Sequence, residues 1–289
     1  MSDNSHPETI SIINCALNVP LMLISIIGNT LVLAAICRTS ALRSPSVILV
    51  CSLAASDLSV GFVVQPLYIT STITGNPFLF QATLMTAACA TGVSLLIMTA
   101  ISVDRFLALY YHMRYPSLMT TQRAMYTSAT LWLISFLLSF LTFWKMSAYY
   151  FVTAVTIAIC LLVSTVCYIR IYRIVRQHQL QIHAQQQAVE NNAADNKRSM
   201  LRSTKSAKNT FIYYIVMIMC YTPLFTSMAV LSISHKDWTN AWSLGDTVAF
   251  MNSSINPFLY CWRLRELRTA VIKAARQVLC GQTEENSPC

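Results

Sequence analysis

One carboxylate, Asp57, stands in the middle of a long apolar stretch, within the run Leu53-Ala54-Ala55-Ser56-Asp57-Leu58. Hydroxyl and amide side chains are expected at a similar depth in other apolar stretches, Asn29 among them. A carboxylate combined with neutral oxygen atoms suits a small, hard cation such as sodium. The residues predicted to form this sodium site are Asp57, Ser94, Asn252, Ser253 and Asn256. The alternative is that the same groups only form hydrogen bonds between helices.

The stretches that carry these groups have the composition of membrane spans. The chain of 289 residues is 55% hydrophobic and 11% charged, whereas about 25% of the residues of a soluble domain are charged. Helices satisfy their own backbone hydrogen bonds in lipid, and the short alternating strands of a barrel do not occur. Seven stretches have the length of a span, at residues 9–37, 45–73, 78–111, 124–144, 147–170, 206–233 and 240–262. The sequence therefore predicts an all-α membrane protein, a seven-transmembrane helix bundle.

The positive charges give the orientation. With the N-terminus outside, every Lys and Arg residue except Lys145 and Lys236 falls on the cytoplasmic side, as the positive-inside rule requires. We predict an extracellular segment 1–8, a membrane domain 9–262 and a cytoplasmic tail 281–289. The net charge of +9 reflects this arrangement, and no nucleic-acid partner is expected.

Two cytoplasmic segments follow from the charge pattern. Residues 177–205 are rich in Gln, Asn and Ala, which indicates helix extensions joined by a mobile linker. Residues 263–280 have apolar residues on one face and basic residues on the other, which predicts a short amphipathic eighth helix at the inner leaflet. Cys280 at its end is a candidate for palmitoylation. The alternative is a solvated basic helix with an unmodified thiol.

Short motifs occur in order along nearly the whole chain. They are Gly28-Asn29, Leu53 to Asp57, Asp104-Arg105-Phe106, Trp132, Tyr168, Pro223 and Asn256-Pro257-Phe258-Leu259-Tyr260. In this set the chain resembles the rhodopsin-like (class A) G-protein-coupled receptors. The resemblance implies a plasma-membrane receptor that activates a heterotrimeric G protein, and the chain shows no nucleophile and base that would indicate an enzyme.

The resemblance also implies the residues of the activation switch. Asp104 would hold Arg105 at the cytoplasmic end of the third span, and release of Arg105 would accompany outward movement of the sixth. The other residues carried over are Phe106, Met113, Tyr168, Pro223, Asn256, Pro257 and Tyr260. Of these, Met113 would present an apolar knob to the G protein, and the two prolines would loosen helices that must bend. For Met113, simple loop packing is the alternative.

Several positions depart from the pattern of most relatives. Phe80 replaces the cysteine that anchors the second outer loop, which is itself reduced to a few residues around Lys145. Cys160 stands in place of a proline, Tyr221 in place of a tryptophan, and Ser203 where many relatives have an acidic partner for Arg105. The chain is similar to the melanocortin receptors in its short second outer loop and in lacking both the disulfide bridge to the third span and the proline of the fifth. Those receptors belong to the group that also includes adenosine, cannabinoid and lysophospholipid receptors.

The outer cavity of the bundle is the expected ligand site. Ala87 replaces the aspartate that pairs with amines in bioamine receptors, and Phe250 replaces the lysine that binds retinal in opsins, so neither a bioamine receptor nor an opsin is expected. The residues expected to line the pocket are Thr83, Ala87, Ala88, Thr91, Leu224, Phe225, Met228, Asp246 and Phe250. With one carboxylate among apolar groups, such a pocket suits an uncharged or weakly cationic small molecule, lipid or peptide. The alternative is that these residues only pack against neighbouring helices, because ordinary helix packing would produce a similar row of apolar residues.

Two other functions remain open at this stage. A chemosensory, odorant-like receptor of the same fold would share every coupling residue. A membrane transporter is a more remote alternative, because transporters show paired broken helices and several intramembrane charges along a path, and no internal repeat is evident here.

Overall fold

The computed structural model describes residues 6–39, 44–111, 114–188, 193–233, 239–263 and 267–273, excluding the side chains of residues 6–8, 178–179, 182–188, 193–210, 239 and 263. The helices are α1 (His6–Arg38), α2 (Pro45–Ser59), α3 (Gln65–Thr74), α4 (Pro77–Tyr110), α5 (Tyr115–Leu118), α6 (Thr121–Ser139), α7 (Leu141–Trp144), α8 (Met146–Ala188), α9 (Ala193–Ile233) and α10 (Thr239–Arg263). Residues 267–273 form a further helix, α11. The described part of the chain is helical with short connections, which confirms the predicted all-α fold.

Six helical segments of the described residues are long and apolar enough to cross a membrane. They are Thr9–Arg38, Pro45–Thr74, Pro77–Tyr110, Thr121–Trp144, Met146–Gln177 and Phe211–Ile233. The seventh predicted span corresponds to α10, a helix of 25 residues that packs between α1 and α9. It is more polar than the others because it carries buried residues such as Asn252, Ser253 and Asn256. These groups face the bundle and not lipid.

Helix α4 lies at the centre of the bundle, where it packs against α2, α6, α8 and α10. Helix α1 closes the ring by packing against both α2 and α10. A Cβ atom added at Gly28 would lie 2.8 Å from a side-chain carbon of Pro257, so glycine permits the close approach of α1 and α10. This contact brings the first span up to the polar residues of the seventh.

The second span contains a π turn, Val60–Val64, between α2 and α3. Pro66 has no backbone N–H, so the α-helical hydrogen-bond pattern cannot continue through it. Instead, the N–H of Gln65 donates to the carbonyl of Val60, five residues earlier, as in a π-bulge. The wide turn sets the rotation of α3, and so the direction of Tyr68, relative to Asp57 on α2.

Two described connections at the predicted outer end of the bundle are very short. Helix α3 ends at Gly75 in the left-handed conformation (φ 62°), and Asn76 caps α4 by accepting hydrogen bonds of 2.9 and 3.4 Å from the N–H groups of Phe78 and Leu79. A single residue, Lys145, joins α7 to α8. The prediction of a much reduced second outer loop is therefore confirmed.

A hydrogen bond joins α4 to α7 near the position of the disulfide bridge that many relatives have. Gln81 on α4 donates through Nε2 to the carbonyl oxygen of Thr142 on α7, at 3.0 Å. The adjacent Phe80 cannot form a bridge, and the cysteines in the described part of the chain are free thiols. The outer ends of the third and fourth spans are thus tied by an amide side chain.

At the predicted cytoplasmic end, α8 continues to Ala188 and α9 begins at Ala193. The predicted helix extensions of segment 177–205 are confirmed, and the predicted linker at 189–192 lies outside the described residues. In α11, Leu267 is buried, whereas Arg268 and Lys273 are exposed. This matches the amphipathic pattern predicted for residues 263–280. Cys280 lies outside the described residues.

Candidate functional site

The carboxylate of Asp57 is fully buried at the junction of three helices. Its Oδ1 accepts hydrogen bonds from Ser253 at 2.8 Å and from Ser94 at 3.1 Å, and its Oδ2 accepts one from Nδ2 of Asn256 at 2.7 Å. The second hydroxyl contact of Ser94 is with Ser56, at 2.9 Å. Four of the five residues predicted for the sodium site therefore meet at one point, on α2, α4 and α10.

Amide oxygens surround this cluster without hydrogen-bond partners of their own. The fifth predicted residue, Asn252, donates to the sulfur of Met98 at 3.3 Å and interacts with the hydroxyl of Tyr221. The buried Oδ1 atoms of Asn29, Asn252 and Asn256 accept no hydrogen bond. A buried polar atom without a partner is costly. The arrangement thus offers a carboxylate, hydroxyls and spare carbonyl oxygens, which are the ligands that a hard cation prefers.

At the predicted inner end of α4, Asp104 has more partners than its neighbour Arg105. Nε of Arg105 lies 3.7 Å from Oδ2 of Asp104. The same carboxylate accepts shorter hydrogen bonds from Tyr115 on α5, at 2.6 Å to Oδ1, and from Ser46 on α2, at 2.8 Å to Oδ2. Burial, reinforced by the hydrogen bond to Asp104, raises the pKa of Tyr115 above its usual range, so the phenol remains a donor at physiological pH.

Two tyrosine pairs join the inner halves of the spans. The rings of Tyr168 on α8 and Tyr214 on α9 have centroids 4.8 Å apart, and those of Tyr213 on α9 and Tyr260 on α10 stack at 6.0 Å. The hydroxyl of Tyr168 also accepts a hydrogen bond of 3.3 Å from Ser102 on α4. Helix α9 is therefore held on both sides by aromatic contacts to residues that the sequence assigned to the switch. Pro223, on the same helix, and Pro257, on α10, both lie inside helices.

A cavity of about 70 Å³ lies in the predicted outer half of the bundle, between α4, α6, α8, α9 and α10. Seven of the nine residues predicted for the ligand pocket line it, namely Thr83, Ala87, Ala88, Thr91, Leu224, Asp246 and Phe250. A second cavity of about 340 Å³ adjoins it and shares Thr83, Leu84 and Asp246 with it. The shared residues make the two cavities parts of one pocket.

Two of the residues predicted for the ligand pocket, Phe225 and Met228, do not face these cavities. Met228 is 1% exposed and packs in the core, and Phe225 packs against the same core. Neither lines either cavity. Leu224, one turn before Met228 on the same face of α9, does line the inner cavity, whereas Met228 is taken up by packing in the core.

Other lining residues were missed from sequence. They include Tyr149, Val152, Thr153 and Thr156 on α8 and Ser135 and Ser139 on α6 for the inner part, and Tyr68, Phe80, Trp242 and Ser243 for the outer part. The two adjacent aromatic residues Tyr149 and Tyr150, so close after the short loop at Lys145, were a signal that could have placed α8 in the pocket.

Residues 28–149 and 141–260 match the seven-transmembrane receptor domain of the rhodopsin family. Together these matches cover more than half of the chain and include the helices that carry Asp57, Arg105 and Asn256. The chain belongs to the rhodopsin family of seven-transmembrane receptors. This rhodopsin-family receptor is a multi-pass membrane protein and a G-protein-coupled receptor, and it is not an enzyme.

Two relatives illustrate the kind of receptor to which this one is similar. The bovine (Bos taurus) adenosine receptor A2b is 27% identical over 310 aligned positions, which cover 92% of this receptor and 90% of the relative. The rat (Rattus norvegicus) histamine H2 receptor is 29% identical over 279 positions, which cover 86% and 75% of the two chains. Both relatives are named as receptors for small molecules, adenosine and histamine.

Some predicted site residues of the receptor lie outside the part described by the structure. Met113 falls between Tyr111 and Arg114, and the side chain of Ser203 on α9 is likewise outside the described residues. Phe106 is described, and it stacks on Tyr110 with centroids 5.5 Å apart. Its ring also packs against the cluster formed by Tyr168, Ile171 and Val175.

Proposed function

We propose that this receptor couples the binding of a small extracellular ligand to nucleotide exchange on a heterotrimeric G protein. The observation that carries the proposal is the position of Arg105. Its guanidinium group lies at the inner end of the central helix, 3.7 Å from a carboxylate that Tyr115 and Ser46 already hold. Arg105 can move away from Asp104 without leaving the carboxylate unpaired, because the hydroxyl groups of Tyr115 and Ser46 still donate hydrogen bonds to it.

The proposed transition opens the inner end of α9. The contacts that must separate are Tyr168 with Tyr214 and Tyr213 with Tyr260. Aromatic pairs contribute about 0.5–1.5 kcal/mol each beyond their area of contact. Two such pairs can hold the helix closed, yet a ligand with a modest difference in affinity between the two states can overcome them.

The proposed orientation places the N-terminus outside and the C-terminus in the cytoplasm, at the plasma membrane. The distribution of Lys and Arg supports it. The pocket then opens to the outside, and Arg105 and α11 lie at the cytoplasmic side, where a G protein would bind.

A sodium ion is the proposed negative regulator. The residues that would hold it are Asp57, Ser94, Asn252, Ser253 and Asn256, and the Oδ1 atoms of Asn252 and Asn256 are buried acceptors without partners. An ion bound there would join α2, α4 and α10 in their closed arrangement. Sodium should therefore favour the closed state and reduce signalling in the absence of ligand.

The pocket geometry supports a small ligand. The larger of the two adjoining cavities, about 340 Å³, has the usual size of a small-molecule site, and the smaller one, about 70 Å³, lies beside it. The similarity to receptors named for adenosine and histamine points in the same direction. A palmitoyl group on Cys280, an expectation from the sequence, would add to the attachment of the C-terminal segment to the membrane.

The test of the proposed function is the Arg105→Ala variant, measured in cell membranes by nucleotide exchange on a panel of G proteins. We expect loss of basal and stimulated exchange with normal surface expression. Lys145→Ala, which removes an exposed cation at the opposite end of the bundle, is the matched control and should signal normally. Unchanged exchange in a well-expressed Arg105→Ala receptor would refute the mechanism.

Tags on the two termini test the orientation, because only an N-terminal tag should stain intact cells.

A further inference from the structure

Asp246 lies where the two parts of the pocket meet, and its side chain is half-buried. No Lys, Arg or His residue is among the residues that line either cavity. The side chains that interact electrostatically with its carboxylate are Tyr68, Tyr149 and Tyr150, all neutral. Within the described pocket, this acidic group therefore has no cationic partner.

Aromatic rings surround the same carboxylate. Trp242 lies one helical turn before Asp246, and its indole nitrogen is close to the carboxylate but makes no ordinary hydrogen bond. The Trp242 ring meets Phe80 edge-on at 6.2 Å and Tyr150 edge-on at 5.6 Å. We call Tyr68, Phe80, Tyr149 and Trp242, which line the two cavities with Asp246, the aromatic cage. Ring faces attract organic cations, and cages of this kind recognise ammonium groups.

The inner part of the pocket has a different character. Its walls next to the cage are formed by small or apolar residues, including Ala87, Ala88 and Leu224, with Phe250 beside them. Ala87 leaves the central helix without a charge there. A ligand can therefore place an apolar body in the inner cavity while its charged group remains beside Asp246.

We propose that the receptor recognises a small organic ammonium ion, whose cationic nitrogen pairs with Asp246 inside the aromatic cage and whose apolar body occupies the inner cavity. This inference rests on the proposed function, since it assigns a ligand class to the same pocket. In this proposal the counter-ion of the ligand is Asp246, on the seventh span, where α10 faces α3, α4 and α8.

The physical reason is the balance between desolvation and pairing. A carboxylate removed from water loses more than it regains unless an opposite charge or good donors replace the water. An ammonium ligand supplies that charge together with N–H donors. A neutral ligand of the same shape displaces the water and leaves the carboxylate without a partner, so it should bind much more weakly.

The test uses the purified full-length receptor in lipid nanodiscs and follows its thermal unfolding. The probes are butylamine, phenethylamine and the trimethylammonium analogue of phenethylamine, each up to millimolar concentration, with 2-phenylethanol as the neutral isostere. We expect at least one of the three cations to raise the unfolding midpoint in a saturable way, with an apparent affinity at least about tenfold above that of the alcohol.

Variants test whether Asp246 is the reason. Asp246→Asn should lower the affinity for the active cation about tenfold or more, and Asp246→Glu, which keeps the charge, should retain part of it. Asp237→Asn removes the same charge elsewhere in the chain and serves as the matched control, so it should bind as the parent does. The midpoint of each variant without ligand shows whether it is folded, and Asp246→Glu keeps the test valid if Asp246→Asn does not fold.

Several results would overturn the proposal. They are equal binding of phenethylamine and 2-phenylethanol, protection by none of the three cations, full affinity in a folded Asp246→Asn receptor, or equal losses in the Asp237→Asn control. The proposed function fails separately. A cation that binds through Asp246 without stimulating exchange on any G protein would refute the coupling, whereas stimulation by neutral ligands alone would refute only the ligand class.

Discussion

The hydroxyl group of Tyr115 donates a hydrogen bond of 2.6 Å to the carboxylate of Asp104, which is shorter than the 3.7 Å separation between Asp104 and Arg105. Ser46 completes the arrangement, with its hydroxyl 3.1 Å from that of Tyr115. The conformation of the inner loop and the state of Asp104 are therefore linked through one phenol group.

The first prediction concerns this phenol. Tyr115→Phe removes a donor to a buried charged acceptor, an interaction worth about 1.5–3 kcal/mol. Because Tyr115 is one of the two hydroxyl donors that remain on Asp104 when Arg105 leaves, its loss makes the carboxylate depend more on Arg105, so basal nucleotide exchange should fall several-fold. The measurement is ligand-free exchange in membranes at equal receptor density. Tyr111→Phe, at a half-exposed ring, is the control, and equal exchange in both variants would count against the linkage.

The second prediction concerns the acidic partner that α9 lacks. Ser203→Glu should place a carboxylate where many relatives have one and should reduce basal exchange several-fold, because an ion pair at a partly wet helix end contributes about 1 kcal/mol. Thr204→Glu adds the same charge about 100° further around the helix and should have little effect. A parent receptor with no basal exchange at all would show that the closed state does not need this partner.

The third prediction concerns sodium. Replacing a bulky organic cation in the buffer with sodium at constant ionic strength should lower ligand-free exchange, since the ion would join Asp57 to Ser94 and Ser253 in the closed state. Asp57→Asn should abolish this response. Ser59→Ala, on the same helix with its hydroxyl bonded to Ala55, should retain it. If sodium still lowered ligand-free exchange in the Asp57→Asn receptor, the assignment of the sodium site to Asp57 would be refuted.

The fourth prediction concerns the outer tie between spans three and four. Gln81→Met removes the donor to Thr142 and should lower the free energy of unfolding by about 1 kcal/mol, measured by thermal unfolding in nanodiscs. Gln122→Met, at an exposed position on α6, should not.

A mild extracellular reductant should leave the unfolding midpoint unchanged, because Phe80 cannot take part in a bridge. A large drop on reduction would reveal a disulfide that involves another cysteine.

Most of the fold could be predicted because lipid imposes a simple rule on the sequence. Long apolar runs became helices, and the few polar residues within them, such as Asp57, Ser94 and Asn256, met at one buried point. Burial without a partner would be costly for each of them, so their convergence was foreseeable. The helix extensions at the predicted inner ends of α8 and α9 were foreseeable for a similar reason, since no breaker interrupts them.

The lining of the pocket was less predictable because it depends on helix rotation. Sequence spacing places Leu224, Phe225 and Met228 on adjacent parts of α9, but packing decides which of them faces the cavity, and only Leu224 does. The π turn before Pro66 likewise changes the direction of Tyr68 by an amount that the sequence pattern does not contain. The part played by α8 depends on the tight connection at Lys145.

That connection has a consequence for the timing of the response. With one residue between α7 and α8, this part of the chain provides no hairpin that could fold over a bound molecule. On that side, no loop has to move before a ligand can enter or leave. We therefore expect no delay from loop movement at this connection when the concentration of the ligand changes.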